Sequence, residues 1–504
     1  MTFMKSDVIV IGGGAAGLMA AIGAANYLSK TENGGTVTVL EKMQKPGRKI
    51  MVTGKGRCNF TNVKPWEEFS SHIRTDSNFV SPSWHNLTPE SLISLLQGSG
   101  MRSVVERGER AFPESHMASD VVDALVRGCT LLGVKIVTGC EVKGIESKAG
   151  FFRISCIRTT VKEFRGRPDE NGRFSAPPRI ETTREEESYS SSRLIVATGG
   201  LSYPWTGSTG DGYRFAQGFG LEVTGLYPSL TAIVPEGYKS EANPLVADMK
   251  EAFRGRGKGF RRASKADKPH PLPENYPDLP GHIERITPLS DLGELLNGNS
   301  IDNVKLTVFI DGTPSQSEFG DLEFTDGGLE GPVGFQVSRK AVKALMDGSK
   351  VSVSIDLKPA VELEKLNEDV HQKWQEVLDD PRSRGVYFQK LFRIMLGKLM
   401  PWNLTLGFLK MNPRVSVDTL ASYLKDWRMD IAGFVGFERA VVTAGGVSTG
   451  EIVAKTLESR KVPGLYFAGE VLDMDSDTGG YNLHTAFATG YLAGESAAKS
   501  LQNR

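Results

Sequence analysis

Apolar positions at the start of the chain follow the order of a strand, a tight turn and a helix. Val8–Ile11 form an unbroken apolar run that ends at Gly12, and Gly14 and Gly17 open an Ala-rich stretch. A second strand pattern, TVTVLEK, then ends in an acid, Glu41. Because strand, glycine turn, helix and acid-ended strand occur in this order, the pattern predicts a βαβ unit that binds a dinucleotide.

Each glycine of this turn is predicted to be needed for a different physical reason. Gly12 permits the turn, Gly14 lets backbone N–H groups approach phosphate, and Gly17 allows the helix to pack closely on the strand. Free N–H groups at the helix start, which includes Ala15 and Ala16, favour an anion together with the helix dipole. A structural turn is the competing interpretation. The glycines within the apolar run argue against a signal peptide or a membrane span.

Polar residues after the second strand extend the predicted site. The Glu41 carboxylate can accept hydrogen bonds from ribose hydroxyls, and Lys42 lies beside it. In the loop GRKIMVTGKGRCNFTN, Arg48, Lys49 and Arg57 either neutralise phosphate or are ordinary surface charges. Cys58 is either a reactive thiol near arginine or a packed, inert residue, and we predict the second.

Periodic apolar positions farther along predict the rest of the nucleotide-binding part. They indicate a helix over Ala118–Leu132 and strands at Phe151–Arg158 and Ser188–Val196. The polar segment between these two strands is predicted to be an exposed hairpin extension. The second of them runs into Thr198-Gly199-Gly200, which predicts a return of the chain beside the first strand.

A domain is predicted to be inserted after this part, because short β-type runs and then amphipathic helices replace the earlier pattern. The short runs are Leu230–Val234, Asn303–Ile310, Gly334–Val337 and Lys350–Ile355. Helical periodicity follows from Pro359 to Trp427. The predicted division is a nucleotide-binding part at residues 1–205 and 431–504, a β-rich insert at 206–356 and a helical subdomain of the insert at 357–430.

The C-terminal segment contains a second helix start that is led by glycine. A short strand ends in Gly469-Glu470, and Gly480 then opens an Ala-rich helix. The positive end of such a helix would stabilise the negative charge of a reduced flavin, and a helix start that only packs on the sheet is the alternative. Tyr481 and His484, in the first turn, are the candidate catalytic residues, with His484 as an acid, a base or a substrate-orienting group.

Composition narrows the classes of function. The 504 residues contain 60 basic and 60 acidic residues, so global charge does not favour nucleic acid or an anionic membrane. No window has the apolar length of a spanning helix, and we expect a cytoplasmic protein. The four cysteines show no CxxC or His/Cys spacing, so no metal site is predicted. A basic cluster at 254–268 suggests a solvated insertion or, alternatively, a phosphate-binding or partner-docking patch.

Motifs that the sequence lacks exclude several enzyme classes. No second strand–GxGxxG–helix occurs, which argues against a separate nicotinamide domain. The cysteines form no redox pair, which argues against a disulfide reductase. No HExxH, Walker loop or GxSxG elbow is present.

Several segments in a fixed order resemble one known family. They are VIVIGGGAAGLMAA, GRKIMVTGKGRCNFTN, ATGGLSYPWTGSTGDGY, FTDGGLEGPVGFQVSR and VTAGGVSTGEIVAKTLESRKVPGLYFAGEVLDMDSDTGGYN. The chain resembles the bacterial NAD(P)/FAD-dependent oxidoreductases that include aminoacetone oxidase and bile-acid 3-oxo-Δ4 reductase flavoproteins. The resemblance covers nearly the whole chain apart from polar stretches near 160–190 and 239–299.

The resemblance implies an α/β fold and FAD as cofactor. It implies a two-dinucleotide-type FAD-binding Rossmann-like domain with an inserted β-barrel-like domain that carries a helical subdomain. The glycine turn and Glu41 would meet the pyrophosphate and the adenosine ribose. The further residues assigned to the cofactor are Lys42, Arg48, Gly56, Arg57, Cys58, Asn59, Thr198, Gly199, Gly200, Gly469, Glu470, Gly480, Tyr481 and Asn482.

The expected function is hydride transfer between a small organic substrate and FAD, by an oxidase or by a reductase that takes electrons from NAD(P)H. The alternative is a flavoprotein whose basic loop binds RNA or a protein partner, with FAD mainly structural. Family members often carry Gln where His484 stands and FTHFGLSGP where FTDGGLEGP stands. Asp326 and Glu330 thus replace His and Ser, which leaves the substrate preference open.

Overall fold

A computed structural model describes residues 4–32, 34–148, 150–164, 179–240 and 276–502. The chain forms two compact units. Unit 1 consists of Met1–Leu226 and Val442–Arg504, and unit 2 consists of Tyr227–Val441. The predicted boundaries were 205/206 and 430/431. Among the described residues, no helix has the length and apolar character needed to cross a membrane.

The described strands and helices are numbered in chain order. The strands are β1 Met4–Ile11, β2 Val37–Glu41, β3 Thr61–Asn62, β4 Ser103–Glu106, β5 Arg110–Pro113, β6 Lys135–Thr138, β7 Cys140–Lys148, β8 Phe151–Phe164, β9 Arg179–Val196, β10 Tyr227–Ser229, β11 Ile233–Pro235, β12 Asn299–Ile310, β13 Thr313–Thr325, β14 Gly328–Glu330, β15 Val351–Asp356, β16 Trp427–Phe434, β17 Val442–Ala444 and β18 Leu465–Phe467. The helices are α1 Ala15–Leu28, α2 Trp66–Ser70, α3 Ser77–Asn86, α4 Pro89–Gly98, α5 Ala118–Leu131, α6 Asp211–Gly218, α7 Asp291–Leu296, α8 Gly331–Met346, α9 Leu363–Asp379, α10 Phe388–Leu396, α11 Thr405–Met411, α12 Val417–Lys425 and α13 Tyr481–Lys499.

Unit 1 is built on a seven-stranded sheet with the order β6-β2-β1-β9-β8-β7, and β18 lies beside β9. Strand β1 pairs in parallel with β2 and β9, so that Val10 lies opposite Val39 and Ile195. The predicted return of the chain beside the first strand is confirmed. Val8–Ile11 are fully or almost fully buried, as expected of a parallel strand that is covered on both faces.

Strands β8 and β9 form a long antiparallel hairpin, with Phe152 opposite Ser191 and Phe164 opposite Arg179. The hairpin was predicted, but both strands are longer than the apolar pattern indicated. Charged and hydroxyl residues make up most of the added length, and cross-strand backbone hydrogen bonds there do not require an apolar face. Residues 165–178 lie outside the described part of the chain.

Helix α13 packs on α1 with their backbones in close approach. A Cβ added at Gly490 would lie 2.2 Å from the carbonyl oxygen of Ala16, and one added at Gly494 would lie 1.9 Å from that of Ala20. The small residues of both helices are therefore required by packing. This contact joins the C-terminal segment to the first βα unit.

Unit 2 contains a closed barrel with the strand order β11-β14-β13-β12-β15-β16. The predicted β-barrel-like insert is confirmed. Alternate residues of the barrel strands are buried, as Leu306 and Val308 in β12 and Val353 and Ile355 in β15 illustrate. Helices α9 to α12 follow β15 and match the predicted helical subdomain. The basic cluster at 254–268 lies outside the described residues.

One predicted strand is wrong, because Gly334–Val337 belongs to helix α8. Pro332 occupies the first turn of this helix, where its missing N–H costs nothing. The buried positions Val333, Val337 and Ala341 recur at the spacing of a helix face. A short window around residue 335 contains too few positions to distinguish this period from that of a strand.

Candidate functional site

The glycine turn between β1 and α1 is shaped by close backbone contacts. Gly12 has a φ of +102°, and a Cβ there would lie 2.3 Å from the Ala197 carbonyl oxygen. A Cβ at Gly17 would lie 1.8 Å from the carbonyl oxygen of Gly12. Gly14 differs, because a Cβ there would meet no described atom within 4 Å. Close contacts within the protein explain why glycine is required at positions 12 and 17, whereas the space beside Gly14 is open.

The N-terminus of α1 has free hydrogen-bond donors. Gly14 precedes the helix without a side-chain cap, and no acid occurs in the first turn. The first N–H groups of a helix have no partner within the helix, and the helix dipole adds positive potential at this end. The start of α1 therefore suits a bound anion such as a pyrophosphate.

Glu41 closes β2 directly against this turn. Its carboxylate accepts hydrogen bonds from the backbone N–H groups of Gly13 at 2.6 Å and Met43 at 2.7 Å. Burial raises the pKa of Glu41, while these two hydrogen bonds and the charges of Lys42 and Arg48 oppose the rise. The carboxylate is thus held beside the glycine turn, where ribose hydroxyls of a dinucleotide would lie.

The C-terminal motif contributes Glu470, which is held by three groups. Its carboxylate pairs with the ammonium of Lys49, accepts from the Ser202 hydroxyl at 2.6 Å and accepts from the Thr443 N–H at 2.8 Å. Gly200 lies in contact with this cluster, because a Cβ there would lie 2.5 Å from Oγ1 of Thr443. Four separate segments of unit 1 therefore meet at one carboxylate.

The N-terminus of α13 forms a second uncapped helix start. Gly480 has a φ of +96°, and a Cβ there would lie 2.6 Å from the backbone carbonyl of Thr61 and 2.8 Å from Oδ1 of Asn59. No side chain caps the helix. Asn482 instead fastens the preceding loop, since its amide bonds the backbone N–H and carbonyl of Ser476. This helix start also has free N–H donors.

The segments that contain the two glycine-led helix starts lie against each other in unit 1. A Cβ at Gly469 would lie 2.6 Å from the Cβ of Ala16, in the first turn of α1. The contact of Gly490 with Ala16 places α13 against the same turn. The fold thus brings together the N-terminal and C-terminal motifs.

The residues of this site fit a flavin dinucleotide. Within the described chain, Oδ1 of Asn59 and Oγ1 of Thr198 are buried and have no hydrogen-bond partner. A buried polar atom without a partner costs roughly 1–3 kcal/mol, and a polar ligand can remove that cost. Together with the open space at Gly14, these unpartnered atoms suit a polar, phosphate-containing ligand.

Three predicted basic residues have protein partners. Arg57 pairs with Glu106, and its guanidinium lies 4.4 Å from the ring centroid of Phe112. Lys42 pairs with Asp211 at 2.7 Å. The guanidinium of Arg48 lies 5.9 Å from the ring of Trp205. These contacts fix the loops around the site, and a role of the three cations at phosphate stays a prediction.

Cys58 is packed, as predicted, and its inertness stays a prediction. Its side chain is fully buried, and burial raises the pKa of the thiol to about 12. The other cysteines, Cys129, Cys140 and Cys156, are buried as well.

We expect iodoacetamide at mildly alkaline pH to leave all four cysteines unmodified in the folded protein, because burial blocks access and disfavours the thiolate at Cys58. Mass spectrometry would show four modified sites after unfolding in urea. Rapid modification of folded Cys58 would contradict the packed assignment.

Tyr481 and His484 are buried in the first turn of α13. The Tyr481 ring stacks on His72 with centroids 4.2 Å apart, and Nδ1 of His484 lies 2.9 Å from Oγ1 of Thr61. Burial lowers the pKa of His484 to about 3, so the imidazole is neutral. Burial raises the pKa of Tyr481, so its hydroxyl stays protonated. Their catalytic role stays a prediction.

Sequence reasoning missed several residues that organise the site. Thr61 contacts both His484 and the Gly480 backbone, and Ser202 and Thr443 hold Glu470. Each lies near a strand end or glycine pair in a segment already singled out. Small hydroxyl residues at such positions were the available signal, because they can bond backbone and carboxylate groups there.

Comparison with known proteins confirms the resemblance inferred from the motifs. A family model described as "HI0933-like protein Rossmann domain" matches residues 6–166 and 173–496. A 3-dehydro-bile acid delta(4,6)-reductase of Clostridium scindens is 27% identical over 508 residues, covering 97% of this chain and 98% of that protein. Ribosomal RNA dihydrouridine synthases of Haemophilus influenzae and Escherichia coli are each 28% identical, covering 98% of this chain and 99% of theirs.

Proposed function

Because the chain belongs to the HI0933-like protein Rossmann domain family, we propose that it is an FAD-dependent oxidoreductase. The observation that carries the proposal is the pair of uncapped helix starts, one of them with open space at Gly14, in two motifs that lie against each other in unit 1. A dinucleotide with a redox-active ring offers a pyrophosphate for one helix start and, when reduced, a negatively charged ring for the other.

We assign the parts of the site to FAD from its chemistry. The start of α1 would bind the pyrophosphate, and Glu41 would accept hydrogen bonds from the adenosine ribose. Glu470, held by Lys49, would accept hydrogen bonds from the ribityl hydroxyls. The N–H groups at the start of α13 would favour negative charge on the isoalloxazine. Bound FAD supplies hydride transfer, and the protein supplies orientation and electrostatics.

We propose reduction of a carbon–carbon double bond conjugated to a carbonyl as the reaction. The names of the relatives support this class, since a delta(4,6)-reductase of a 3-dehydro bile acid and a dihydrouridine synthase both saturate such a bond. A hydride adds to the carbon β to the carbonyl, a proton adds to the α carbon, and NAD(P)H supplies the electrons. Tyr481, which stays protonated, is our candidate proton donor.

The test is anaerobic mixing of purified protein with NADH or NADPH while the flavin absorbance is followed. We expect bleaching by one of them and recovery of the absorbance when a steroid 4-en-3-one or another cyclic enone is added. If neither nucleotide bleaches the flavin and a photoreduced sample reoxidises rapidly in air, the protein is an oxidase. Purification without any flavin would contradict the cofactor assignment.

The second candidate is reduction of uridine in ribosomal RNA, and two full-length relatives that are ribosomal RNA dihydrouridine synthases favour it. Dihydrouridine in RNA from cells with and without the gene, measured by mass spectrometry of nucleosides, tests it directly. A site that loses dihydrouridine in the deletion strain and regains it on complementation would support RNA as substrate. Unchanged dihydrouridine at every site would restrict the proposal to small enones.

A further inference from the structure

The segment 381–414 of unit 2 differs in charge from the rest of the chain. The whole chain is electrically balanced, with 60 basic and 60 acidic residues. Within 381–414 there is no aspartate or glutamate. The basic residues there are Arg382, Arg384, Lys390, Arg393, Lys398, Lys410 and Arg414. This segment comprises α10, α11 and their flanking turns, and we call it the basic–aromatic surface.

Large rings are exposed among these cations. Tyr387 is 67% exposed, Phe388 is 56% exposed and Trp402 is 48% exposed. Arg384, Lys390 and Arg414 are exposed as well and form no ion pair with a described residue. Exposed large rings and unpaired cations within one segment are unusual on a protein surface and indicate a binding function. The apolar surface of an exposed ring gains no hydrophobic stabilisation while it stays in contact with water.

Two of the three rings, those of Phe388 and Trp402, are held in place by neighbouring groups. Phe388 stacks on Phe392 with centroids 5.9 Å apart, and the Phe388 ring meets the edge of Trp374 at 5.4 Å. The guanidinium of Arg393 lies 4.3 Å from the ring centroid of Trp402. A Cβ at Gly397 would lie 2.5 Å from the Trp402 ring. Since neighbouring groups fix these rings, little conformational entropy is lost when a planar ligand stacks on them.

The chemistry of the surface fits a chain of phosphates and planar bases. Exposed cations bind phosphates, and exposed rings stack on bases with about 1–3 kcal/mol per base. A membrane surface is the competing partner, but an interfacial helix exposes its apolar face. The apolar face of α10 is buried, as Leu391, Phe392 and Met395 show. Phe388 continues this face at its exposed end, and along the chain Arg384 and Lys390 flank Tyr387 and Phe388.

We propose that the basic–aromatic surface binds single-stranded RNA. The choice of RNA rests on the second candidate of the proposed function, and the surface itself is argued from charge and exposed rings.

The test is fluorescence anisotropy of a labelled single-stranded RNA of mixed sequence with the full chain at several salt concentrations. We expect the triple variant Arg384→Gln, Lys390→Gln and Arg414→Gln to bind at least roughly tenfold more weakly at low salt, with a salt slope smaller by about 2. Tyr387→Ser should weaken binding about fivefold or more through lost stacking. These residues form no ion pair with a described residue, so the folded state should be retained.

The matched control removes three exposed cations of unit 1, with Arg107→Gln, Lys148→Gln and Lys162→Gln. It should bind RNA within about twofold of the wild type, since it changes the net charge equally without altering the surface. Equal loss of affinity in the control and the triple variant would overturn the proposal. Unchanged RNA binding in the triple variant, with lost binding to phosphatidylserine vesicles, would overturn it in favour of a membrane.

Binding and turnover are separable in this design, because anisotropy requires no reduction of RNA. If the triple variant loses RNA affinity while the wild type does not reduce uridine, the surface stands and the RNA-reducing candidate fails. If the wild type reduces uridine in RNA and the triple variant keeps both affinity and rate, the surface proposal fails and the function stands.

Discussion

Replacement of Gly14 by valine is expected to abolish stable FAD binding while the protein stays folded. A Cβ at Gly14 meets no described atom within 4 Å, and the backbone there is extended, which valine accepts. The added methyl groups would occupy the space in which helix N–H groups approach the pyrophosphate. We expect the Kd for FAD to rise by at least roughly 100-fold, or about 2.7 kcal/mol. Flavin fluorescence titration of the apoprotein measures it.

Gly225→Val is the matched control, because a Cβ at Gly225 also meets no described atom within 4 Å. It should bind FAD as the wild type does. Circular dichroism and urea unfolding would show whether both variants fold normally. If Gly14→Val binds FAD with unchanged affinity, the pyrophosphate does not lie at the start of α1. If Gly14→Val unfolds, glycine at this position serves the fold instead.

Acidification is expected to destabilise the protein through His484. Burial lowers the pKa of this imidazole to about 3 from 6.5, so the unfolded chain binds a proton in this range that the folded chain does not. The free energy of unfolding must therefore fall as the pH falls below 6.5. Between about pH 7.5 and about pH 5, the wild type should lose roughly 2 kcal/mol more than His484→Gln loses. Urea unfolding at the two pH values measures the difference.

Glutamine is the informative replacement, because it can keep a hydrogen bond to Thr61 and carries no titrating group. His85→Gln, which removes an exposed histidine of unit 1, is the matched control and should keep the pH dependence of the wild type. Equal pH dependence in the wild type and His484→Gln would show that His484 is accessible to protons. That result would restore it as a candidate acid or base.

Much of the site was predictable because the demands on its residues are local. A glycine turn between an apolar strand and an Ala-rich helix has one main structural solution, so Gly12 and Gly17 could be placed without the fold. Glu41 follows from the strand that it ends. The helix start at Gly480 could be recognised in the same way. The wrong strand prediction at Gly334–Val337 shows the limit of such local reasoning, because four residues fit the period of a strand and that of a helix equally well.

The family resemblance added the cofactor and the inserted barrel, but it did not say which residues touch. Lys49 was predicted to neutralise phosphate, yet its ammonium pairs with Glu470, far away in the sequence. Arg57 pairs with Glu106. Such ion pairs depend on which loops the sheet order brings together, and no local pattern records that order.

The sequence by itself determined the βαβ unit, the two glycine-led helix starts and the family, because backbone geometry and apolar period act over a few residues. Only the tertiary structure decided that the N-terminal and C-terminal motifs lie together, through the contacts of Gly469 and Gly490 with Ala16. It also decided that His484 is neutral, since its pKa is set by burial beside Thr61 and Phe69. Burial and charge pairing are properties of packed neighbours that lie far apart along the chain, which is why the fold was needed to see them.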